Sequence, residues 1–89
     1  MVTVHLPSSL ALVVPELPRV AQVEATTVDE VVRALDARWR GVADRVLEPG
    51  PAIRRHINVF VDGEPADLAT EVSPTARVHV LPAVSGGAS

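Results

Sequence analysis

Gly86 and Gly87, close to the end of the chain, are the residues whose type and spacing best suit chemistry. Glycine has no side chain, so a glycine pair can carry a carboxyl group along a channel too narrow for other residues. A partner protein can bind an extended segment of this kind through hydrogen bonds to its main chain. We expect Val84, Ser85 and Gly86 to thread into such a channel, with Val84 as the side-chain anchor. The pattern predicts a chain end on which another protein acts.

The remaining side chains form no pattern typical of catalysis. The chain has no cysteine, which excludes thiolate nucleophiles, disulfides and thiolate metal sites. The carboxylates are scattered, without the paired spacing of a general acid and base. His5 and His79 have no cysteine or carboxylate support for a metal, and solvated surface histidines are the favoured interpretation. We therefore expect no catalytic residue, no metal and no cofactor bound by this chain.

The size and charge of the chain exclude further classes of protein function. The 89 residues are enough for one domain. A net charge of −3, one Phe, one Trp and no Tyr do not provide the basic, aromatic surface of a nucleic-acid binder. No segment approaches the roughly 18 apolar residues of a membrane helix, and the start of the chain does not resemble a secretion signal. We expect a cytoplasmic protein that binds neither nucleic acid nor membrane.

The first third of the chain predicts two neighbouring strands. Residues 2–6 alternate between apolar and polar, as in a half-buried strand. Residues 10–18 are apolar but interrupted by prolines, so an irregular connection is expected there. A second strand is predicted over residues 20–25, with Ala21 and Val23 facing inward. Strands joined so closely are expected to pair antiparallel.

The middle of the chain predicts the main helix. Thr27 and Glu30 have capping-box spacing, in which the Thr27 hydroxyl accepts from the Glu30 amide and the Glu30 carboxylate accepts from the Thr27 amide. Asp36 and Arg40 are predicted to pair at i, i+4, and Gly41 is predicted to end the helix. Apolar residues at helical spacing form the face expected to pack on the sheet: Val28, Val31, Val32, Leu35 and Trp39.

The second half predicts two more strands. A short helical turn is expected over residues 42–47. Residues 57–61 give the clearest strand pattern, and Asp62 with Gly63 forms its turn. Residues 64–74 predict a loop with one short strand, and residues 76–81 predict the last strand.

These elements together predict an α+β fold in two layers, with one main helix on one face of a mixed sheet of four to five strands. The domain is assigned to residues 1–82. Residues 83–89 are assigned to a flexible tail that contains Gly86 and Gly87.

Three segments resemble the MoaD, ThiS and CysO sulfur carriers. They are residues 57–64, the strand at 79–82 that leads into Ala83 and Val84, and the glycine pair at 86–87. The resemblance covers nearly the whole chain. It implies the ubiquitin-like β-grasp fold, in which the first and last strands lie parallel at the centre of the sheet.

The resemblance also implies a chemical role for Gly87. In this family a MoeB/ThiF-like, ubiquitin-activating-type enzyme uses ATP to adenylate the terminal glycine carboxylate. Sulfur from a donor then displaces AMP and leaves a thiocarboxylate, which donates sulfide to an acceptor enzyme. A CysO-like role implies a cysteine synthase-like acceptor, a MoaD-like role implies a molybdopterin synthase large subunit, and sulfur transfer to a specialised metabolite stays open.

The chain departs from the family pattern because Ala88 and Ser89 follow the glycine pair. Gly87 therefore has no free carboxylate, and some relatives with such extensions need a metalloprotease to trim them. We expect cleavage between Gly87 and Ala88 before activation. The alternatives are that the last two residues are a cloning remnant or that the tail carries no chemistry.

A partner surface is predicted on the sheet face away from the helix. If Val59 faces inward, Phe60 faces outward, and the same alternation places Leu81 outward. Phe60, Leu81 and Val84 are predicted to form an apolar patch leading to the tail. The alternative is a single exposed aromatic residue without function.

Two further interpretations stay open. Arg54, Arg55 and His56 form a small basic cluster, interpreted as a solvated loop or as a contact for an acidic partner. The alternatives to a sulfur carrier are a ubiquitin-like modifier that joins Gly87 to partner lysines, and a β-grasp interaction module whose glycines are incidental.

Overall fold

The computed structural model describes residues 1–83, along which ten short elements follow one another. Their bounds are β1 Val2–His5, α1 Ser8–Ala11, β2 Val20–Val23, α2 Val28–Arg38, α3 Val42–Val46, β3 Leu47–Glu48, β4 Ala52–Ile53, β5 Ile57–Val61, β6 Glu64–Pro65 and β7 Arg77–Pro82. Five strands form a mixed sheet in the order β2-β1-β7-β5-β6, and β3 and β4 form a separate hairpin.

The centre of the sheet is a parallel pair of strands. In β1, Val4 lies opposite Ala21 of the antiparallel β2 and opposite Val78 of the parallel β7. In β5, Val59 lies opposite Val80 of β7 in an antiparallel ladder. These valines are buried and face the helices, because side chains alternate between the two faces of a strand. The predicted antiparallel first pair and parallel central pair are both confirmed.

The capping box of α2 is confirmed in one half and wrong in the other. The Thr27 hydroxyl accepts a hydrogen bond from the Glu30 amide at 3.2 Å. The Glu30 carboxylate accepts instead from the amide and hydroxyl of Thr26, each at 2.8 Å. Thr26 thus gives the carboxylate two hydrogen bonds, while the Thr27 hydroxyl serves as the acceptor for the Glu30 amide. The backbone hydrogen bond from Thr26, followed by the side-chain one, lowers the pKa of Glu30.

The end of α2 also differs from the prediction. The helix ends at Arg38, with Trp39 as its C-cap, before Gly41 is reached. Gly41 has φ of 106° and is the N-cap of α3, which confirms the predicted helical turn at residues 42–47. Trp39 is only partly buried, with the Arg38 guanidinium 4.5 Å from its ring centroid.

Asp36 does not pair with Arg40. Its Oδ1 atom accepts hydrogen bonds from the amides of Gly41 and Ala43, each at 3.0 Å. Because the N-cap residue Gly41 has no side chain that could accept from the first turn of α3, Asp36 accepts from the Ala43 amide in that turn, as well as from the amide of Gly41 itself. Asp36 therefore holds the junction between α2 and α3.

Asp36→Ala is expected to lower the free energy of unfolding by about 1–2 kcal/mol, the usual effect of losing a helix cap. Asp36→Asn keeps the Oδ1 acceptor and should recover most of that loss. Arg40→Ala is the matched control and should change the stability by less than about 0.5 kcal/mol. Urea unfolding of the three variants measures these differences. Equal losses for Asp36→Ala and Arg40→Ala would instead support the ion pair.

The connection at residues 10–18 is more regular than predicted. It begins within α1, and the Val14 amide donates to the carbonyl of Leu10 at 3.0 Å. Leu10, Val14 and Leu17 are buried at i, i+4 and i+7. This helical spacing was masked in the sequence by the surrounding prolines.

The region between the helices and the last strand contains one predicted and one unpredicted feature. The short strand expected within residues 64–74 is present as β6. The β3–β4 hairpin, in which Leu47 lies opposite Ile53, was not predicted. No helix within the described part of the chain is long and apolar enough to cross a membrane.

Candidate functional site

The last described residue lies at the end of the β5–β7 ladder. The Ala83 amide donates to the carbonyl of His56 at 2.7 Å, one residue beyond the end of β7 at Pro82. Ala83, assigned to the tail from the sequence, is thus still hydrogen-bonded to the sheet. The other tail predictions lie outside the described residues: Val84, Ser85, Gly86, Gly87, Ala88 and Ser89.

Phe60 and Leu81 lie on the outer face of the sheet, away from the helices. Phe60 is opposite His79 and Leu81 is opposite Asn58, so Phe60 and Leu81 are diagonal neighbours across β5 and β7. Leu81 is 43% exposed and Phe60 is partly buried. On the other side of Phe60, Pro65 of β6 extends the apolar surface. The two described residues of the predicted patch therefore adjoin, and their role in binding stays a prediction.

Two histidines continue this surface across the central strands. His5 and His79 occupy paired positions on β1 and β7, and their rings stack with centroids 4.3 Å apart and an interplanar angle of 4°. His5, His79 and Phe60 therefore form a row of flat rings across three adjacent strands. The sequence predicted the outward positions of the two histidines but not their stacking. Within residues 1–83 no group of three or more metal-binding side chains comes together.

A basic loop borders the point where the chain leaves the sheet. Arg54, Arg55 and His56 are exposed in the loop before β5. The Arg54 guanidinium donates to the carbonyl of Asp44 at 2.8 and 3.1 Å, so part of this cluster is held in place. The carbonyl of His56 binds Ala83, which brings the cluster beside the base of the tail.

A groove that the sequence did not predict runs along the side of β5 that faces away from β7. It has a volume of about 550 Å³ and lies between residues 51–55 and 65–69, with β5 beneath it. No sequence pattern indicates it, because it depends on how short β6 is.

The architecture defines the class of protein. A mixed sheet with its first and last strands parallel at the centre, and with the main helix on one face, is the β-grasp architecture of ubiquitin-like proteins. The last strand brings the chain to the end of the β5–β7 ladder, four positions before Gly87 in the sequence. This is the class of sulfur carriers and ubiquitin-like modifiers.

Comparison with known proteins identifies the family. Residues 14–87 match the model of the ThiS family, and the chain belongs to that family. Small archaeal modifier protein 3 of Haloferax volcanii is 35% identical over 65 residues, which are 68% of this chain and 70% of the relative. The sulfur carrier protein CysO of Mycobacterium tuberculosis is 31% identical over 67 residues, covering 68% and 72% of the two chains.

A solved structure confirms the β-grasp fold. The CysO/BexX complex of Amycolatopsis orientalis contains a chain that matches this one with a TM-score of 0.87 and 28% identity. The match covers 98% of this chain and all of the other. That relative binds another protein, and the named relatives are carriers and modifiers rather than enzymes. The sequence-based assignment to the MoaD, ThiS and CysO type is therefore confirmed.

Proposed function

We propose that this chain is a sulfur carrier whose reactive group is the carboxylate of Gly87, exposed by removal of Ala88 and Ser89. The observation that carries the proposal is the position of Ala83 at the end of the sheet, followed by a glycine pair. Four extended residues reach roughly 13 Å at most, enough to enter a neighbouring active site. The family match also ends at Gly87, so Ala88 and Ser89 fall outside it.

The proposed chemistry has two steps on the freed carboxylate. A carboxylate oxygen of Gly87 attacks the α-phosphorus of ATP, pyrophosphate leaves, and an acyl adenylate forms. Hydrosulfide supplied by a sulfur donor then attacks the acyl carbon, its proton is lost and AMP leaves, which yields the thiocarboxylate. A MoeB/ThiF-like partner supplies ATP binding and catalysis. This chain supplies the acyl group and the surface that the partner recognises.

The sulfur then passes to an acceptor enzyme. A cysteine synthase-like enzyme, a molybdopterin synthase large subunit and an enzyme of specialised metabolism all use the same donor chemistry. The relative bound to BexX supports acceptance by a separate protein partner. ATP and reduced sulfur are available in the cytoplasm, so the proposal places the carrier there.

Mass spectrometry of the intact chain tests the proposal. The chain is co-expressed with a MoeB/ThiF-like enzyme and a metalloprotease from neighbouring genes. The expected product has lost Ala88 and Ser89 and has gained the mass difference between sulfur and oxygen at Gly87. A chain that acquires sulfur while keeping Ala88 and Ser89 would contradict the trimming step. A chain that is trimmed but never gains sulfur would contradict the carrier function.

A second candidate function is protein modification, favoured by the 35% identity to small archaeal modifier protein 3. In that case trimmed Gly87 would be joined to lysine side chains of other proteins. Tryptic peptides carrying a glycine-glycine remnant on lysine, with no thiocarboxylate on the free chain, would support the modifier. A third candidate, an interaction module without tail chemistry, would keep its function when Gly86 and Gly87 are replaced.

A further inference from the structure

The edge of β5 that faces away from β7 is incompletely paired. The β5–β7 ladder is bounded by the bond from Ala83 to His56 and by the bond from the Asp62 amide to the carbonyl of Arg77, at 2.8 Å. The backbone groups of successive residues alternate between the two sides of a strand. Ile57 and Val59 therefore direct their amides and carbonyls to the opposite edge.

Two of the four backbone groups that Ile57 and Val59 direct to this edge are satisfied. The Ile57 amide donates to the carbonyl of Arg54 at 3.0 Å, and the Val59 carbonyl accepts from the Ala66 amide at 2.9 Å. Within residues 1–83, the Ile57 carbonyl and the Val59 amide are bonded neither to β6, whose ladder with β5 covers only Phe60 and Val61, nor to a loop. Val59 is only 4% exposed, and buried backbone groups are normally paired with protein or water. The edge can therefore accept one further hydrogen-bonding residue.

Ile57 and Val59, which carry these two groups, both line the groove described above. Its volume of about 550 Å³ is within the range of ligand-binding clefts. Ile53, Ile57 and Leu68 provide apolar surface along it, and all three are only partly buried. The groove can thus take side chains as well as a backbone.

The charges around the groove favour an acidic occupant. Arg54 and Arg55 line the end where β5 begins. Asp67 also lines the groove, but its carboxylate already accepts hydrogen bonds from the Ala69 amide and the Thr70 hydroxyl. The groove is therefore lined by two positively charged residues, Arg54, which also donates to the carbonyl of Asp44, and Arg55, against one carboxylate that is already engaged.

We propose that this groove binds an extended acidic segment of a partner protein, running parallel to β5. One residue of the segment lies opposite Asn58, donates its amide to the Ile57 carbonyl and accepts from the Val59 amide, which is the pattern of a parallel ladder. In this direction the amino-terminal part of the segment lies beside Arg54 and Arg55. Acidic residues are placed there, and the apolar residues that follow contact the groove.

This binding site shares Phe60 with the outer face of the sheet but does not extend to Leu81 on that face. It lies at an edge of the sheet and needs neither Gly87 nor the trimming of Ala88 and Ser89. The sequence did not decide whether the basic cluster at Arg54, Arg55 and His56 is a solvated loop or a contact for an acidic partner. The proposed site makes the two arginines of this cluster a contact for acidic residues.

The test uses the blocked peptide acetyl-Glu-Asp-Val-Ile-Val-amide and the uniformly nitrogen-15-labelled chain. Titration followed by NMR should move the Val59 amide proton downfield and slow its exchange with solvent. The matched control peptide begins with Lys-Lys in place of Glu-Asp and should bind several-fold more weakly. Equal binding of both peptides, or shifts confined to His79 and Leu81 on the outer face, would overturn the proposal.

Two variants separate recognition of the acidic peptide by Arg55 from the effect of the protein's net charge on binding. Arg55→Glu should weaken binding of the acidic peptide by roughly fivefold, the upper range for an exposed ion pair. Arg45→Glu is an equal charge change at an exposed position of α3 outside the groove, and should leave the affinity unchanged. Equal losses for the two variants would contradict the site.

A truncated chain tests whether the groove is already occupied by the protein itself. If removing residues 84–89 shifts the NMR signal of the Val59 amide in the absence of peptide, the chain's own end occupies the groove and the proposal is wrong.

Discussion

A chain that ends at Gly87 is expected to support ATP–pyrophosphate exchange by its adenylating enzyme, whereas the chain that ends at Ser89 is expected to support none. In the longer chain the Gly87 carbonyl belongs to a peptide bond and has no charged oxygen to attack ATP. The carboxylate of Ser89 would have to enter the site behind two residues that carry a Cβ atom. The exchange rate with each purified chain measures the difference, which should be complete rather than partial.

The control for this prediction keeps the carboxylate and changes only the space around it. Gly86→Ala in the chain ending at Gly87 retains the reactive group but adds one methyl group to the segment that enters the channel. We expect this variant to lose most of the exchange activity while its urea unfolding stays unchanged. Exchange by the untrimmed chain at the rate of the trimmed one would show that the last two residues are no barrier.

The elements that a sequence can predict here are those with a strong local period. Residues 57–61 alternate so regularly that β5 has the predicted bounds, with Val59 and Val61 buried. Val28, Val31, Val32 and Leu35 likewise lie on the buried face of α2 as predicted. Local periodicity does not say which strands are neighbours. The parallel pairing of Val4 with Val78 was expected only because of the resemblance to a family.

The features that the sequence did not predict depend on the positions that backbone groups distant in the sequence take in the folded chain. Asp36 has the spacing of an ion pair with Arg40, yet the amide of Gly41 and the Ala43 amide of α3 bind its carboxylate once the chain turns at Gly41. A surface ion pair contributes little, whereas unpaired helix amides are costly, so the cap wins. The groove beside β5 follows from the two-residue length of β6, which has no sequence signature.

The candidate site was predictable to a similar degree. Alternation places His5, His79 and Phe60 outward, and the strand order brings them together. The ring stacking of the two histidines depends on side-chain torsions that alternation does not fix. Gly87 is proposed as the reactive residue from its residue type and the resemblance alone, so only chemistry on the chain itself can test it.

Phe60→Glu is expected to weaken binding of the adenylating enzyme by about 30-fold, because a central aromatic anchor of an interface commonly contributes about 2 kcal/mol. The charged side chain would face solvent on the outer surface in the free protein but would be desolvated in the complex. Gln22→Glu is the matched control, since it adds the same charge to the same outer face at β2, three strands away. Isothermal titration calorimetry measures both affinities, and urea unfolding checks that each variant is folded.

The two surfaces that Phe60 adjoins can be separated with one more variant. Phe60 belongs to the outer face and also lines the groove beside β5, so its loss alone does not say which surface the adenylating enzyme uses. Arg55→Glu alters the groove without touching the outer face. If the outer face binds the enzyme, Arg55→Glu should keep its affinity while Phe60→Glu loses it. Equal losses of affinity for Arg55→Glu and Phe60→Glu would indicate that the enzyme binds in the groove. An unchanged affinity for Phe60→Glu would show that the outer face is not part of the interface.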